Sequence, residues 1–267
     1  MTTAFAPAAA TTAVATVAAA TASTHAATLP HTQPAGTAPR FDMYAAIHKA
    51  LRSFMMDTLF RVGRIDVQDA DDTGRTLAQL DELLMFCTGH IEHENDHVHS
   101  AIDARRPAGA ARTSGEHVEH LETIAALRCD VVAMQTARPE DKGTLALRLY
   151  RHLSLFVADN FQHMHYEETA NNAALWSLYT DAELMEIHGR ILAGITPQEH
   201  LLVARWMVPA LSPVERAMVV GGMKQQTPPE ALLGVLAHVR PHLDDTAWGK
   251  LARTIGVPQA PGLVHFS

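Results

Sequence analysis

Cysteine is scarce in this 267-residue chain: Cys87 and Cys129 are the only two, too few for a disulfide framework. Each lies in an apolar helical pattern, where a free thiol behaves as a small buried hydrophobe, and a reducing, cytoplasmic setting is the expected one. Basic residues are also short. With 21 Lys and Arg against 29 Asp and Glu, the formal charge is −8, and the basic footprint that phosphate neutralisation requires is missing. Nucleic acid is therefore excluded as an expected partner. No apolar run approaches the roughly 20 residues that span a bilayer, so no membrane-crossing helix is expected. Aromatic residues make up 6% of a chain that is 47% hydrophobic, and β-branched runs are few beside abundant Ala, Leu and Met. That balance favours helix.

Residues 1–40 are Ala, Thr and Pro almost throughout, with no Lys or Arg before Arg40. They lack the positive start and Leu-rich core of a signal peptide and read as a disordered tail. Residues 41–180 carry four long amphipathic patterns. Asp42 caps the first, whose stripe runs Tyr44, His48, Leu51, Met55, Leu59 and Val62. The second, from about Thr73 to Arg106, aligns Leu80, Leu83, Cys87, His90, Glu94, His97 and Ala101. Thr113-Ser114-Gly115-Glu116 is a capping-box pattern opening the third, with His117, Leu121, Ile124 and Val131 in register and Pro139 beyond its end. The fourth, from about Asp141 to Leu178, aligns Leu145, Leu149, His152, Phe156, Asp159, His163 and Glu167. Four such helices joined by short loops predict an all-α, up-and-down four-helix bundle. Residues 181–267 read as a C-terminal appendage of short helices. Three start signals, Thr196-Pro197-x-Glu199, Ser212-Pro213-x-Glu215 and Thr227-Pro228-x-Glu230, each offer a capping hydroxyl, a proline and a glutamate.

Chemistry concentrates in two pairs of equal spacing, His90-x-x-x-Glu94 and His163-x-x-x-Glu167, each matched by a lone histidine one helix earlier, His48 and His117. An i, i+4 interval brings imidazole and carboxylate off one helix face with Cβ atoms roughly 6 Å apart. A lone histidine on an apolar face is usually a satisfied core residue. The inward glutamates change the balance, because an ionised carboxylate in a core costs several kcal/mol unless it is paired or binds a metal. His120 lies three residues from His117 on an overlapping face and is the alternative ligand in the third helix. His97 extends the buried face, His93 and His97 have the spacing of an adventitious surface zinc site, and His165 points away. Imidazole with carboxylate and no thiolate favours non-haem iron or manganese, with zinc as a competitor.

In this order the motifs Ile47-His48-Lys49-Ala50-Leu51-Arg52, His90-x-x-x-Glu94, Glu116-His117 and His163-x-x-x-Glu167 resemble the hemerythrin-like, or HHE cation-binding, family over roughly residues 41–179. The resemblance implies two iron ions joined by an oxo or hydroxo bridge, with Glu94 and Glu167 bridging and His48, His90, His117 and His163 terminal. Oxygen-carrying hemerythrins have a second histidine where this chain has Leu121, and they usually have aspartate where it has Glu167. The ligand set is closer to the iron-sensing and iron–sulfur-repair branches. The expected function is binding or sensing of oxygen, nitric oxide or iron, with a protein partner docking on the C-terminal helices. The rival readings are a di-iron oxidase or peroxidase-like enzyme, with Tyr150, Tyr166 or Asp159 as its acid, and a metal-free helical interaction module.

Overall fold

Capping chemistry sets the helix starts in a computed structural model that describes residues 40–259. Among these residues every regular element is helical; there are nine helices and no strand. The expected tail of residues 1–40 falls, except for Arg40, outside the described residues. Helix α1 spans Ala45–Gly63, and Asp42 Oδ1 accepts the backbone N–H of Tyr44 and Ala45 just before it. Helix α2 starts at Ala70 under an Asp69 cap, runs to His93, passes through a π turn at Glu94–His99 and continues over Ser100–Arg105. Helix α3 is Ala111–Thr136. Helix α4 runs over Lys142–Tyr166, a π turn at Glu167–Asn171, and Asn172–Leu178.

The capping box expected at Thr113 does not form. α3 opens three residues earlier, with Ala110 at the cap position, so Thr113 is buried in its first turn and its hydroxyl donates back to the Ala110 carbonyl. Glu116 is thereby released for another partner. Cys129, expected to be buried, is exposed, because it falls off the face that Leu127, Val131 and Met134 bury. Cys87 is buried as expected, and desolvation pushes its thiol pKa up to about 12, which makes it inert at neutral pH.

Contacts divide the chain into two units, with the boundary inside α1. Residues 51–178 form one. In it α2 packs along α3 and α3 along α4. α1 meets α2 where the Phe54 and Phe86 rings lie 6.1 Å apart, and meets α4 through the Arg52–Glu168 ion pair. At Gly63 a Cβ would come within 2.9 Å of the Tyr150 ring, so only glycine allows that aromatic to lie so close. Phe54, Met55, Leu80, Leu83, Leu84, Leu127, Leu149 and Leu153 are fully buried. Each contributes about 1.5–3 kcal/mol through removal from water, and together they carry the polar groups buried beside them.

Of the described residues, the other unit joins 40–50 to 179–259. Its further helices are α5 (Asp181–Gly194), α6 (Pro197–Ala210), α7 (Pro213–Gln226), α8 (Pro229–Val239) and α9 (Asp245–Ile255). Capping boxes form at Thr196/Glu199 and Ser212/Glu215, and a further one at Thr180/Glu183 was not foreseen for want of a proline. The third expected box fails. Pro229 follows Pro228 and moves the start by one residue, leaving Thr227 buried with an unpartnered hydroxyl. Val208, Val220, Leu232, Val235, Leu236, Val239, Leu251 and Ile255 make the core. Arg216 donates to the Val208, Pro209 and Leu211 carbonyls at the end of α6. Arg40 pairs with Asp181 at 2.6 Å and Lys49 with Glu215 at 2.5 Å. No helix among the described residues is long and apolar enough to cross a membrane.

Candidate metal centre

One helical turn separates each histidine from its glutamate, and the pairs close as that spacing requires. His90 Nε2 lies 3.2 Å from Glu94 Oε1, and His163 Nε2 lies 3.2 Å from Glu167 Oε2. Both glutamates are buried, Glu94 at 4% exposure and Glu167 at 0%. α3 delivers His117, whose Nε2 stands 3.4 Å from Glu94 and 3.8 Å from Glu167. The donor atoms of Glu94, His117, His163 and Glu167 all lie within 4.8 Å of one another, and so do those of His90, Glu94 and Glu167. The two carboxylates are common to both groups.

The imidazoles are aimed by hydrogen bonds from behind. His117 Nδ1 lies 2.8 Å from Asn95 Oδ1, and His163 Nδ1 lies 2.8 Å from Glu116 Oε2. Both partners are acceptors, so each Nδ1 carries the proton and donates it outward. When the rings are neutral each Nε2 then turns a lone pair inward, and the two Nε2 atoms meet at 3.0 Å. Two facing lone pairs at that distance repel unless a proton or a cation intervenes. Separations of 3.0–3.8 Å among these donors are also what ligands on one ion adopt when each bond is about 2.0–2.2 Å.

Electrostatics reinforce the geometry. Burial opposes charge on His163, yet the carboxylates of Glu167, Glu116 and Glu94 outweigh it and raise the ring's pKa. Burial and the Glu94 carboxylate push Glu167 up, whereas the His163 and His99 rings more than compensate and hold it below the ordinary value. Glu116, resisting burial, is kept low by hydrogen bonds from His163 and Arg112. Glu167 and Glu116 thus favour their charged forms on either side of the His163 ring.

His120 is buried but set apart from the carboxylate group. It stands edge-on to His163, with ring centroids 4.9 Å apart, and burial with the neighbouring His163 and His117 rings pushes its pKa down to about 4. His48 is fully buried on α1, its ring 5.2 Å from that of Tyr44, in the unit that holds residues 40–50. His93 is half-buried and His165 exposed. His152, in register with the site on α4, is bound instead to Asp130, Nδ1 to Oδ2 at 2.8 Å, with Arg148 on the other carboxylate oxygen.

Regular periodicity misplaces two residues. His97, expected to extend the buried face, is half-buried, and His99 is buried in its stead, because the π turn at Glu94–His99 adds a residue to that turn. Asp159, expected inward, is exposed, and its neighbour Asn160 is buried with its amide donating to the Phe156 carbonyl. Tyr150 is exposed as well, and Tyr166 is half-buried under the Arg112 guanidinium at 3.9 Å. Asn95 and His99 were not assigned to the site from the sequence, and Glu116 entered there only through the capping-box and Glu116-His117 patterns. Asn95 directly follows a ligand candidate, which is the only signal it carries. Comparison with family models, with curated proteins and with solved structures gave no match.

Proposed function

We propose that α1 to α4 form a hemerythrin-like up-and-down bundle that holds two iron ions, and that the protein binds or senses oxygen, nitric oxide or iron itself. The observation that carries this reading is the pair of inward imidazoles, His117 and His163, meeting at 3.0 Å between two buried glutamates. In this reading Glu94 and Glu167 would serve both ions, His117 and His163 would hold one and His90 the other, and the sequence motif adds His48 to the ligand set. All-nitrogen and oxygen donors of this kind suit iron or manganese, with zinc as competitor. Bound iron supplies redox activity and coordination positions for a diatomic ligand.

The chain's own groups do the rest. Glu116 and Asn95 hold the Nδ1–H of His163 and His117, fix the tautomer that presents Nε2, and raise the basicity of each ring toward a cation. Burial of both glutamates keeps water from competing for their oxygens. A turnover enzyme needs a general acid at the site, and the exposure of Tyr150 and Asp159 gives that alternative no support.

The test is anaerobic loading of metal-free protein with ferrous iron, followed by metal quantification and optical spectra before and after admission of oxygen or nitric oxide. About two irons per chain and a gas-dependent spectrum are expected. Protein that takes up zinc and refuses iron would remove the proposal.

A further inference from the structure

In a regular α-helix, five residues amount to 500° of rotation, so His99 would point about 140° away from Glu94. The π turn at Glu94–His99 closes i to i+5 and brings both onto the buried face. His99 is 3% exposed. Its Nδ1 lies 3.1 Å from the Ser114 hydroxyl, and its Nε2 is aimed at the site, 3.6 Å from Glu167 Oε1. That Nε2 is buried and makes no hydrogen bond. The ring lies 4.7 Å from that of His117 and nearly parallel to it.

His99 therefore repeats part of the arrangement of His117 and His163: Nδ1 engaged by an oxygen behind it, Nε2 facing the Glu167 carboxylate. Its distance to Glu167 falls within the range spanned by the other donors. We propose that His99 is a third imidazole ligand for the ion that His117, His163 and the two glutamates hold. This rests on the metal-centre reading above. The partner π turn in α4 does not supply a counterpart: five residues after Glu167 stands Asn172, whose amide donates to the Glu168 carbonyl.

The test uses full-length protein and cobalt(II), whose visible spectrum reports coordination number. Wild type, His99→Ala, His99→Asn and His97→Ala are compared by helicity and melting of the metal-free form, by chelator competition, and by the cobalt spectrum. His99→Ala and His99→Asn are expected to weaken one of two cobalt equivalents about tenfold or more and to change its spectrum, with exogenous imidazole restoring the spectrum of His99→Ala. His97→Ala should match wild type. Two equivalents with wild-type affinity and spectrum in the folded His99 variants would overturn the inference and leave the centre standing. Weaker binding with an unchanged spectrum would also overturn it, since His99 would then only position Glu167. A wild type that binds no cobalt or iron would instead overturn the whole metal reading.

Discussion

Asn95 and Glu116 hold Nδ1 of His117 and His163 and so turn Nε2 of those rings inward, and their effect is separable from that of the proposed ligands. Removing the carboxylate in Glu116→Ala frees His163 Nδ1, and metal affinity is expected to fall about 10–100-fold with little loss of helix. Glu116→Gln keeps an acceptor oxygen and should lose less; chelator competition distinguishes the two. In α3, His117→Ala should abolish binding of one ion whereas His120→Ala should leave stoichiometry unchanged, because His117 alone approaches both carboxylates. Iron content of the two variants checks this, and the reverse order would move the ligand to His120. The histidine and glutamate candidates were legible because an i, i+4 pair shares a helix face whatever the fold. Their supports were not. Asn95 and Glu116 matter through contacts between helices, and a sequence read helix by helix carries no such distances.

At the scale of the element, starts were legible wherever capping was local. Thr196 and Ser212 cap their helices as the hydroxyl-proline-glutamate pattern indicates, whereas Thr227 does not, since the second of two prolines takes the first helical position. The contrast predicts opposite outcomes. Thr196→Ala should cost about 1 kcal/mol in thermal or urea unfolding. Thr227→Val replaces a buried, unpartnered hydroxyl by a methyl of the same shape and should be neutral or stabilising. A cost at Thr227 equal to that at Thr196 would mean that the hydroxyl caps after all. The π turns were illegible for a different reason. Each begins at a site glutamate, Glu94 or Glu167, and inserts a residue that shifts all later faces of its helix, so a single 3.6-residue period cannot follow α2 past residue 94.

At the scale of the molecule, residues 40–50 group with 179–259 rather than with the helices that follow them. No periodicity reports such long-range pairing. Within that unit Glu215 both caps α7 and receives Lys49; burial alone would raise its pKa, and the Lys49 ammonium and Ser212 bonds bring it low. Glu215→Ala removes the cap and strands the lysine, and should cost roughly 1–3 kcal/mol in urea unfolding, more than Lys49→Ala, whose side chain is half in water. His188 provides a pH signature in the same unit. It lies edge-on to Phe41, and desolvation lowers its pKa to about 4, below the roughly 6.5 of an unfolded chain. The unfolded state binds its proton first, so this contribution is complete above about pH 6.5 and is lost as pH falls from there toward 4. His188→Leu should flatten stability across that window; an unchanged slope would place the titration elsewhere.

The most direct measurement for the centre itself is iron per chain in wild type and in the Glu94→Ala, Glu167→Ala double variant, both reconstituted anaerobically and both shown to be helical. Removing two buried carboxylates takes away the groups common to both donor clusters while relieving their burial cost, so the fold should survive. The prediction is about two irons in wild type and close to none in the double variant. A folded wild type without iron, or a double variant that retains it, would contradict the assignment of Glu94 and Glu167 as the shared ligands of a metal centre.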